Sequence, residues 1–155
     1  MKRLIPGVIA ASAAFIADFT TKAWVLGMAD SLPLEILPFF NLRLAFNRGI
    51  SFSLLSADSD TGVMLLIALA TAITVLLVYM LWRASLVLER IALGLALGGA
   101  IGNILDRVRY GAVVDFLDFH YQGYSFPTFN VADTAISIGV GLLLIASFRS
   151  HQEKS

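Results

Sequence analysis

The run GVMLLIALATAITVLLVYMLW, residues 62–82, decides the class of fold. It carries no charge, and about 20 predominantly apolar residues are what an α-helix needs to cross the hydrocarbon core of a bilayer. The whole chain agrees, because 58% of its 155 residues are hydrophobic and 14% are charged, whereas soluble domains average about 45–50% apolar residues. We therefore expect a single integral membrane domain, residues 1–155, without a separate soluble domain.

Three further apolar stretches accompany this run. The basic start and apolar residues 4–17 are also compatible with a cleavable signal peptide. Apolar character resumes at residues 23–29, which favours a first span instead. The third stretch has glycines every four residues, a small-residue stripe that lets another helix approach closely. The predicted spans are about 5–29, 62–82, 91–107 and 131–148.

Composition excludes several kinds of chemistry. The chain has no cysteine, which removes disulfides and thiolate chemistry. His120 and His151 are the only histidines, and no His-Glu-x-x-His helix is present, so the ligands of a zinc protease are missing. The formal net charge is zero, which gives no sign of nucleic acid as a partner. We expect no metal and no organic cofactor.

Two stretches between the spans, residues 30–61 and 108–130, have the composition of extramembrane segments. In the first, apolar and polar residues alternate on both sides of Asn47 to Gly49, which predicts a β-hairpin with Asn47 as a turn residue. We expect the second to be a loop from Tyr110 to Asn130, with a turn at Gln122 and Gly123.

The basic residues give an orientation. With four spans, both termini and the loop between the second and third spans share one side, and that side has the larger number of Lys and Arg residues: Lys2, Arg3, Arg83, Arg90, Arg149 and Lys154. The other side has Arg43, Arg48, Arg107 and Arg109. We therefore place both termini in the cytoplasm and the two extramembrane segments outside.

Polar side chains interrupt the apolar helices at defined spacings. Asp18 and Lys22 lie at i and i+4 of the first span and can neutralise each other. This pair either holds the first helix against its neighbours or takes part in function, since ionisable groups in spans are costly. Near the end of the third span, Asn103, Asp106 and Arg107 share one helix face. At the start of the fourth span, Asn130 and Asp133 share another.

Two carboxylates in one site are the minimal equipment for hydrolysing an amide with water. One, ionised, takes a proton from the attacking water, while the other, protonated, polarises the carbonyl. Two carboxylates that share a site do not ionise together easily, which separates the acid from the base. Asp133 is one candidate, and spacing alone leaves open whether its partner is Asp115 or Asp118. The alternative is that Asp106, Asp115 and Asp118 are surface carboxylates or partners of Arg107 and Arg109.

Several separate blocks resemble the signature of one family, the prolipoprotein signal peptidases (signal peptidase II). They follow in the family's order and spacing over essentially the whole chain. The blocks are DFTTK (18–22), FFNL (39–42), NRGISF (47–52), GNILDR (102–107), GAVVDF (111–116) and FNVAD (129–133). The chain departs from the family's usual pattern at Arg48, Ile50 and Phe126, which concerns the substrate groove.

The resemblance implies a fold, a chemistry and a place. The implied fold is an all-α membrane protein with minor β, that is, four transmembrane helices with an extracytoplasmic β-cradle and a short amphipathic helix near residues 54–60. Asp115 and Asp133 are implied as the catalytic pair of an aspartic protease. Supporting or substrate-binding roles fall on Asn47, Gly49, Asn103, Arg107 and Asn130.

The implied substrate is a prolipoprotein carrying a diacylglyceryl group, cut on the amino side of the lipidated cysteine. We expect a monomer in the bacterial inner membrane, in contact with membrane lipids, with its active site near the outer face. A small transporter or proton-conducting protein is one alternative. A serine protease built on Ser51 and His120 is another, and a purely structural four-helix scaffold is a third.

Overall fold

Four long helices follow the predicted apolar runs. The computed structural model describes residues 2–49 and 60–152. Within these ranges the chain forms α1 (Ile5–Gly27), α2 (Asp60–Arg83), α3 (Val87–Tyr110) and α4 (Val131–Gln152), with single-turn helices at Lys2–Leu4 and Ala29–Ser31. The strands are β1 (Leu34–Leu37), β2 (Phe40–Asn47), β3 (Val113–Tyr121) and β4 (Tyr124–Ser125).

Three of these helices are long and apolar enough to cross a bilayer. These three are α1, α3 and α2 from its second residue onward. The apolar part of α4, Val131–Ser147, is shorter. α3 continues to Tyr110, three residues beyond the predicted end of its span, so Asn103 and Arg107 belong to a regular helix. The predicted fold class, an all-α membrane protein with minor β, is confirmed.

Glycines let α3 lie directly against two neighbouring helices. A Cβ atom added to Gly94 would collide with the carbonyl oxygen of Gly7, and one added to Gly98 would collide with that of Ala11. On another face of α3, a Cβ atom on Gly99 would come within 2.5 Å of the carbonyl oxygen of Ala132 at the start of α4. The predicted packing role of the glycine stripe is therefore confirmed.

The four strands form one sheet at the end of the bundle where α1 and α3 finish and α4 begins. Its order is β1-β2-β3-β4, and the described strand pairs are antiparallel. Between Leu42 and Ala45 the register of β2 against β3 shifts, and beyond this irregularity Ala45 lies opposite Asp115. A cluster of Val25, Leu42 and Phe116 packs the sheet onto the end of α1.

Two expectations about the extramembrane segments need correction. The loop predicted from Tyr110 to Asn130 is wrong over its first half, which is strand β3. Its alternation is hidden because the first four residues of β3 are buried on both faces, against the helices as well as within the sheet. The turn at Gln122 and Gly123 is confirmed, with φ of 47° and 85°.

The predicted hairpin around Asn47 is borne out only in its first strand. β2 ends at Asn47, but its described partners are β1, which precedes it, and β3. The second half of that hairpin, residues 50–54, and the short amphipathic helix expected near residues 54–60 lie outside the described residues, except for Asp60, which begins α2.

Candidate active site

Asp115 lies on β3 with 1% of its surface exposed. Asn47 at the end of β2 donates its side-chain N–H to Asp115 Oδ2 over 2.9 Å. Asn130, just before α4, donates its side-chain N–H to Asp115 Oδ1 over 2.7 Å. Both carboxyl oxygens are therefore hydrogen-bonded to amides from different elements.

Asp133 lies in the first turn of α4. Asn103 Nδ2 on α3 donates to Asp133 Oδ1 over 2.8 Å, and the backbone N–H of Asn130 donates to Asp133 Oδ2 over 3.3 Å. The backbone N–H of Asp133 in turn donates to Asn130 Oδ1 over 2.9 Å. This reciprocal arrangement is a helix N-cap of the capping-box kind, and it fixes the carboxylate of Asp133 at the start of α4.

Asn130 joins the two carboxylates. It is fully buried, and it is hydrogen-bonded to Asp115 through its side chain and to Asp133 through its backbone. Its side-chain N–H group also lies 3.2 Å from Asn103 Oδ1. Asp115 and Asp133, 18 positions apart in the sequence, are thus parts of one hydrogen-bonded group.

The environment of Asp115 favours its protonated form. Burial raises the pKa of Asp115 from 3.8 to about 6, and the neighbouring charge of Asp133 adds to the rise. The hydrogen bonds from Asn47 and Asn130 and the positive charge of Lys22 act in the opposite direction, because they favour the carboxylate. The structure therefore supplies a carboxyl group that keeps its proton in mildly acidic conditions.

Asp118, the other candidate from spacing, does not join this group. It lies three residues from Asp115 on β3, so their side chains point to opposite faces of the strand. Opposite Asp118 in the sheet is Asn41 of β2. The tertiary structure therefore places Asp115, rather than Asp118, beside Asp133.

Arg107 stands one helical turn beyond Asn103 and belongs to the surroundings of the pair. Its Nη1 donates to the backbone carbonyl oxygen of Asn103 over 3.3 Å. The charges of Asp133 and Asp115 both act on its guanidinium. Its Nε is buried and has no hydrogen-bond partner among residues 2–49 and 60–152. Arg107 thus adds positive charge at the edge of the site.

Asn47 and Gly49 form one turn. The backbone N–H of Gly49 donates to Asn47 Oδ1 over 3.0 Å, an Asx turn, and Gly49 has a φ of 111° that favours glycine. The same Asn47 side chain uses its Nδ2 for Asp115. Asn47 is therefore both the turn residue that its neighbourhood predicts and a part of the site.

The pair Asp18 and Lys22 is buried, and Lys22 also contacts two residues of α3. Lys22 Nζ lies 2.8 Å from Asp18 Oδ2 and 2.7 Å from Asp106 Oδ2, and it donates to Asn103 Oδ1 over 3.0 Å. We call these four residues, Asp18, Lys22, Asn103 and Asp106, the Lys22 cluster. Asp106, with 6% of its surface exposed, was missed as a site residue from the sequence.

One pattern could have identified Asp106. The glycine stripe of α3 has four-residue spacing and, extended once beyond Gly102, arrives at Asp106. A Cβ atom on Gly102 would collide with Asp18 Oδ2, so this face of α3 lies against α1 at the depth of Asp18. A residue one turn further along the same face must therefore meet the next turn of α1, where Lys22 stands.

An apolar cleft opens beside Asp133. It has a volume of about 310 Å³ and is lined by Phe126, Phe129, Asp133, Thr134, Ser137 and Ile138. Phe129 hydrogen-bonds through its backbone to Leu117 of β3, which keeps this wall next to the strand that carries Asp115. The cleft therefore places an apolar surface next to one of the two carboxylates.

The rival serine site is not assembled in the described residues. Ser51 lies outside them. The ring atom Nδ1 of His120 is buried without a hydrogen-bond partner among residues 2–49 and 60–152. His120 consequently has no described group that would orient it as a base.

The fold is that of a multi-pass membrane protein. Two solved structures support this class, each described as a bacterial membrane enzyme. The first has a TM-score of 0.79 and 31% identity and covers 96% of this chain and 91% of its own. The second has a TM-score of 0.74 and 31% identity and covers 90% of both chains.

The family follows from the sequence comparisons. The family model described as "Signal peptidase (SPase) II" matches residues 10–149. A lipoprotein signal peptidase of Nitrobacter hamburgensis is 44% identical, over 96% of this chain and 94% of its own. That of Yersinia enterocolitica is 42% identical, over 90% and 85%. The chain belongs to the signal peptidase II family and is a membrane peptidase that removes signal peptides.

Proposed function

We propose that this chain is an aspartic endopeptidase in which Asp115 and Asp133 form the catalytic pair. The observation that carries the proposal is the bridge through Asn130, which is hydrogen-bonded to both carboxylates inside the membrane domain. A buried carboxyl with a raised pKa next to a second carboxylate is the arrangement that separates an acid from a base.

Within the pair, we assign the shared proton to Asp115 and the role of first base to Asp133. Burial holds the pKa of Asp115 at about 6. Asp133 ionised takes a proton from water as the water oxygen attacks the scissile carbonyl carbon, and Asp115 gives its proton to the carbonyl oxygen. When the tetrahedral intermediate collapses, Asp133 passes its proton to the leaving nitrogen and Asp115 recovers its own.

Asn47, Asn103 and Asn130 position the carboxylates through the amide hydrogen bonds described above. Arg107 adds a positive charge near the pair and is suited to anchor a carboxylate or a lipid headgroup. Gly49 holds Asn47 in its turn. These roles rest on the geometry of the site and on its match to the family's blocks.

The proposed substrate is a prolipoprotein that carries a diacylglyceryl group, cut on the amino side of the lipidated cysteine. The relatives are named for lipoprotein signal peptides. The cleft beside Asp133 supports this substrate, because Phe126, Phe129 and Ile138 give it an apolar lining and Asp133 is part of the same lining. A lipid-anchored chain diffuses in the plane of the bilayer, so its scissile bond arrives at a fixed depth.

We place the protein in the bacterial inner membrane with both termini in the cytoplasm and the sheet outside. The excess of basic residues at the termini and in the 83–90 loop supports this orientation. We propose a monomer as the active unit. Membrane lipids surround the apolar outer faces of the helices.

The activity test uses purified protein with a diacylglyceryl-modified prolipoprotein, and release of the signal peptide is measured. The unmodified precursor is the matched control. We expect cleavage of the modified form alone. Equal cleavage of both precursors would contradict recognition of the lipid, and cleavage of neither would contradict the proposed substrate.

The orientation is tested by labelling, which the absence of native cysteine makes simple. Ser125→Cys lies on β4 and Ser85→Cys in the loop between α2 and α3, and both positions are exposed. In spheroplasts a membrane-impermeant maleimide should label Ser125→Cys, and should label Ser85→Cys only after permeabilisation. The opposite result would invert the proposed topology.

A further inference from the structure

The ammonium group of Lys22 is saturated with partners. Only 3% of the residue is exposed, and its Nζ meets one oxygen each from Asp18, Asp106 and Asn103 at 2.8, 2.7 and 3.0 Å. A lysine has three N–H donors and no acceptor. One hydrogen bond and two ion pairs hold the buried ammonium inside the protein, which keeps it away from a substrate or a lipid.

The two carboxylates around Lys22 hold the backbone next to each member of the catalytic pair. Asp18 Oδ1 accepts the backbone N–H of Ala132 over 2.9 Å, one residue before Asp133. Asp106 Oδ2 accepts the backbone N–H of Val114 over 3.1 Å, one residue before Asp115. The Lys22 cluster thus contacts both of the chain segments that carry the pair.

Lys22 at 3.0 Å and the side-chain N–H of Asn130 at 3.2 Å both face Asn103 Oδ1, and Lys22 is the charged and shorter of the two contacts that set which way this amide faces. Because an ammonium can only donate, the Asn103 atom that meets it must be the acceptor Oδ1. The N–H₂ end then points toward Asp133 and donates to Asp133 Oδ1 over 2.8 Å. Turned by 180°, the amide would present its oxygen to Asp133, which suits a protonated carboxyl and opposes an ionised one.

We infer that Lys22 is a positioning residue of the active site, which locks the Asn103 amide with its N–H₂ group toward Asp133 and so keeps Asp133 the ionised member of the pair. This inference rests on the proposed catalytic pair and extends it to a residue that touches neither the substrate nor the reacting carboxylates. A lysine serving only to hold α1 against α3 would need its ion pair with Asp106 on α3, but no further contact with the amide that faces Asp133.

The charged groups around Asp133 come from three elements besides its own helix. Among the described residues they are Lys22 and Asp18 on α1, Asp106 and Arg107 on α3, and Asp115 on β3. A substitution of Lys22 alone would leave two buried carboxylates without their cation. A clean test therefore removes one negative charge together with the positive one.

The test variants are Lys22→Met/Asp18→Asn and Lys22→Met/Asp106→Asn, which keep the net charge of the cluster. An asparagine at either position still offers an oxygen to the backbone N–H of Ala132 or Val114. The matched controls are Asp18→Asn and Asp106→Asn alone, which retain Lys22 and its bond to Asn103. The readout is kcat and KM against pH with the modified prolipoprotein.

We expect the acidic limb of the kcat profile to move to higher pH in both double variants, by about one to two pH units, as befits the loss of a hydrogen bond to a charged group. Below pH 6 kcat should fall about tenfold to a hundredfold, while KM changes less than about twofold because Lys22 does not contact the substrate. In the single variants, which remove a negative charge near Asp133, the limb should stay in place or move to lower pH, whatever their kcat.

A wild-type acidic limb in either folded double variant, or an equal displacement in the single controls, would overturn the inference. Asn103→Ala removes the same link without changing a charge and must move the limb in the same direction. A limb that stays in place in Asn103→Ala would overturn the inference even if both double variants failed to fold.

The failure of the inference can be distinguished from failure of the proposed function. Carbon-13 labelling of the aspartate carboxyl groups follows their ionisation by NMR without any substrate. If the wild-type protein cleaves nothing, the proposed function is wrong, yet the carboxyl titration of Asp133 must still differ between the wild type and the double variants. An unchanged titration would contradict the role of Lys22 by itself.

Discussion

Asn130 donates its side-chain N–H to Asp115 Oδ1 over 2.7 Å, with Asn130 fully buried and Asp115 1% exposed. The bond joins the N-cap residue of α4 to β3, the strand that follows α3. Because the backbone of Asn130 is also bonded to Asp133, this contact sets how the two carboxylates lie relative to each other.

Replacing either carboxylate of the pair should abolish cleavage. We expect Asp115→Asn and Asp133→Asn to lower kcat by about 10³-fold or more, since each loses the proton transfers that it performs. Asp118→Asn is the matched control, because it lies on the same strand but on the opposite face, and it should keep most of the activity. Signal peptide release, measured on protein shown to be folded by circular dichroism, provides the check. Substantial activity in Asp133→Asn would refute the catalytic assignment.

Asn47→Ala should shift the alkaline side of the pH profile. The bond from Asn47 favours the ionised form of Asp115, so its loss raises the pKa of Asp115 above about 6. Asp115 then keeps its proton to higher pH, and the fall of kcat on raising the pH should occur later than in the wild type. Arg48→Ala, an exposed neighbour, is the control and should leave the limb in place. A shift to lower pH in Asn47→Ala would mean that Asp115 is not the proton donor.

Lys22→Met should destabilise the protein. It leaves Asp18 and Asp106 buried without their cation, and breaking a buried ion pair from one side costs about 3–5 kcal/mol. Arg3→Gln is a suitable control, because Arg3 is exposed and its loss should change the free energy of unfolding by less than about 0.5 kcal/mol. Denaturant unfolding in detergent micelles measures both. Equal stability of Lys22→Met and wild type would show that the cluster carries little of the packing energy.

Two glycine substitutions separate close packing from helix propensity. Gly98→Ala places a methyl group against the carbonyl oxygen of Ala11, so it should push α1 away from α3 and cost about 1–3 kcal/mol. Gly141→Ala on α4 meets nothing within 4 Å and should be neutral or stabilise by up to about 1 kcal/mol. Thermal unfolding of the two variants under one condition compares them. If both substitutions changed the stability by the same amount, the close approach of α1 to α3 at Gly98 would not account for the effect.

The local hydrophobic pattern was sufficient to predict the helices, because a helix that crosses a bilayer needs a long run of apolar residues. The run at residues 62–82 matches α2 closely, and the glycine spacing of α3 indicated a close helix contact, which Gly94 and Gly98 make. The same reasoning failed on β3. Burial of that strand on both faces removes the alternation by which a strand is recognised.

Sequence patterns predicted only part of the site. Asn103 and Asp133 could be placed on helix faces by their spacing, and the family's blocks indicated Asp115 over Asp118. Asp106 was placed on the same face as Asn103, but its part in the site was missed because its partner, Lys22, is remote in sequence and lies on another helix. Asn47 could be explained as a turn residue, and nothing local showed that its other amide atom reaches Asp115.

By itself the sequence determined the membrane class, the four apolar segments, the family and the residues carrying its signature, since each depends on composition or on spacing within one segment. Only the tertiary structure decided which side chains meet. Asp115 and Asp133 share a site because the sheet brings β3 to the start of α4, and Lys22 meets Asn103 because the glycines of α3 admit α1. Such contacts depend on how whole elements pack, and no local pattern encodes them.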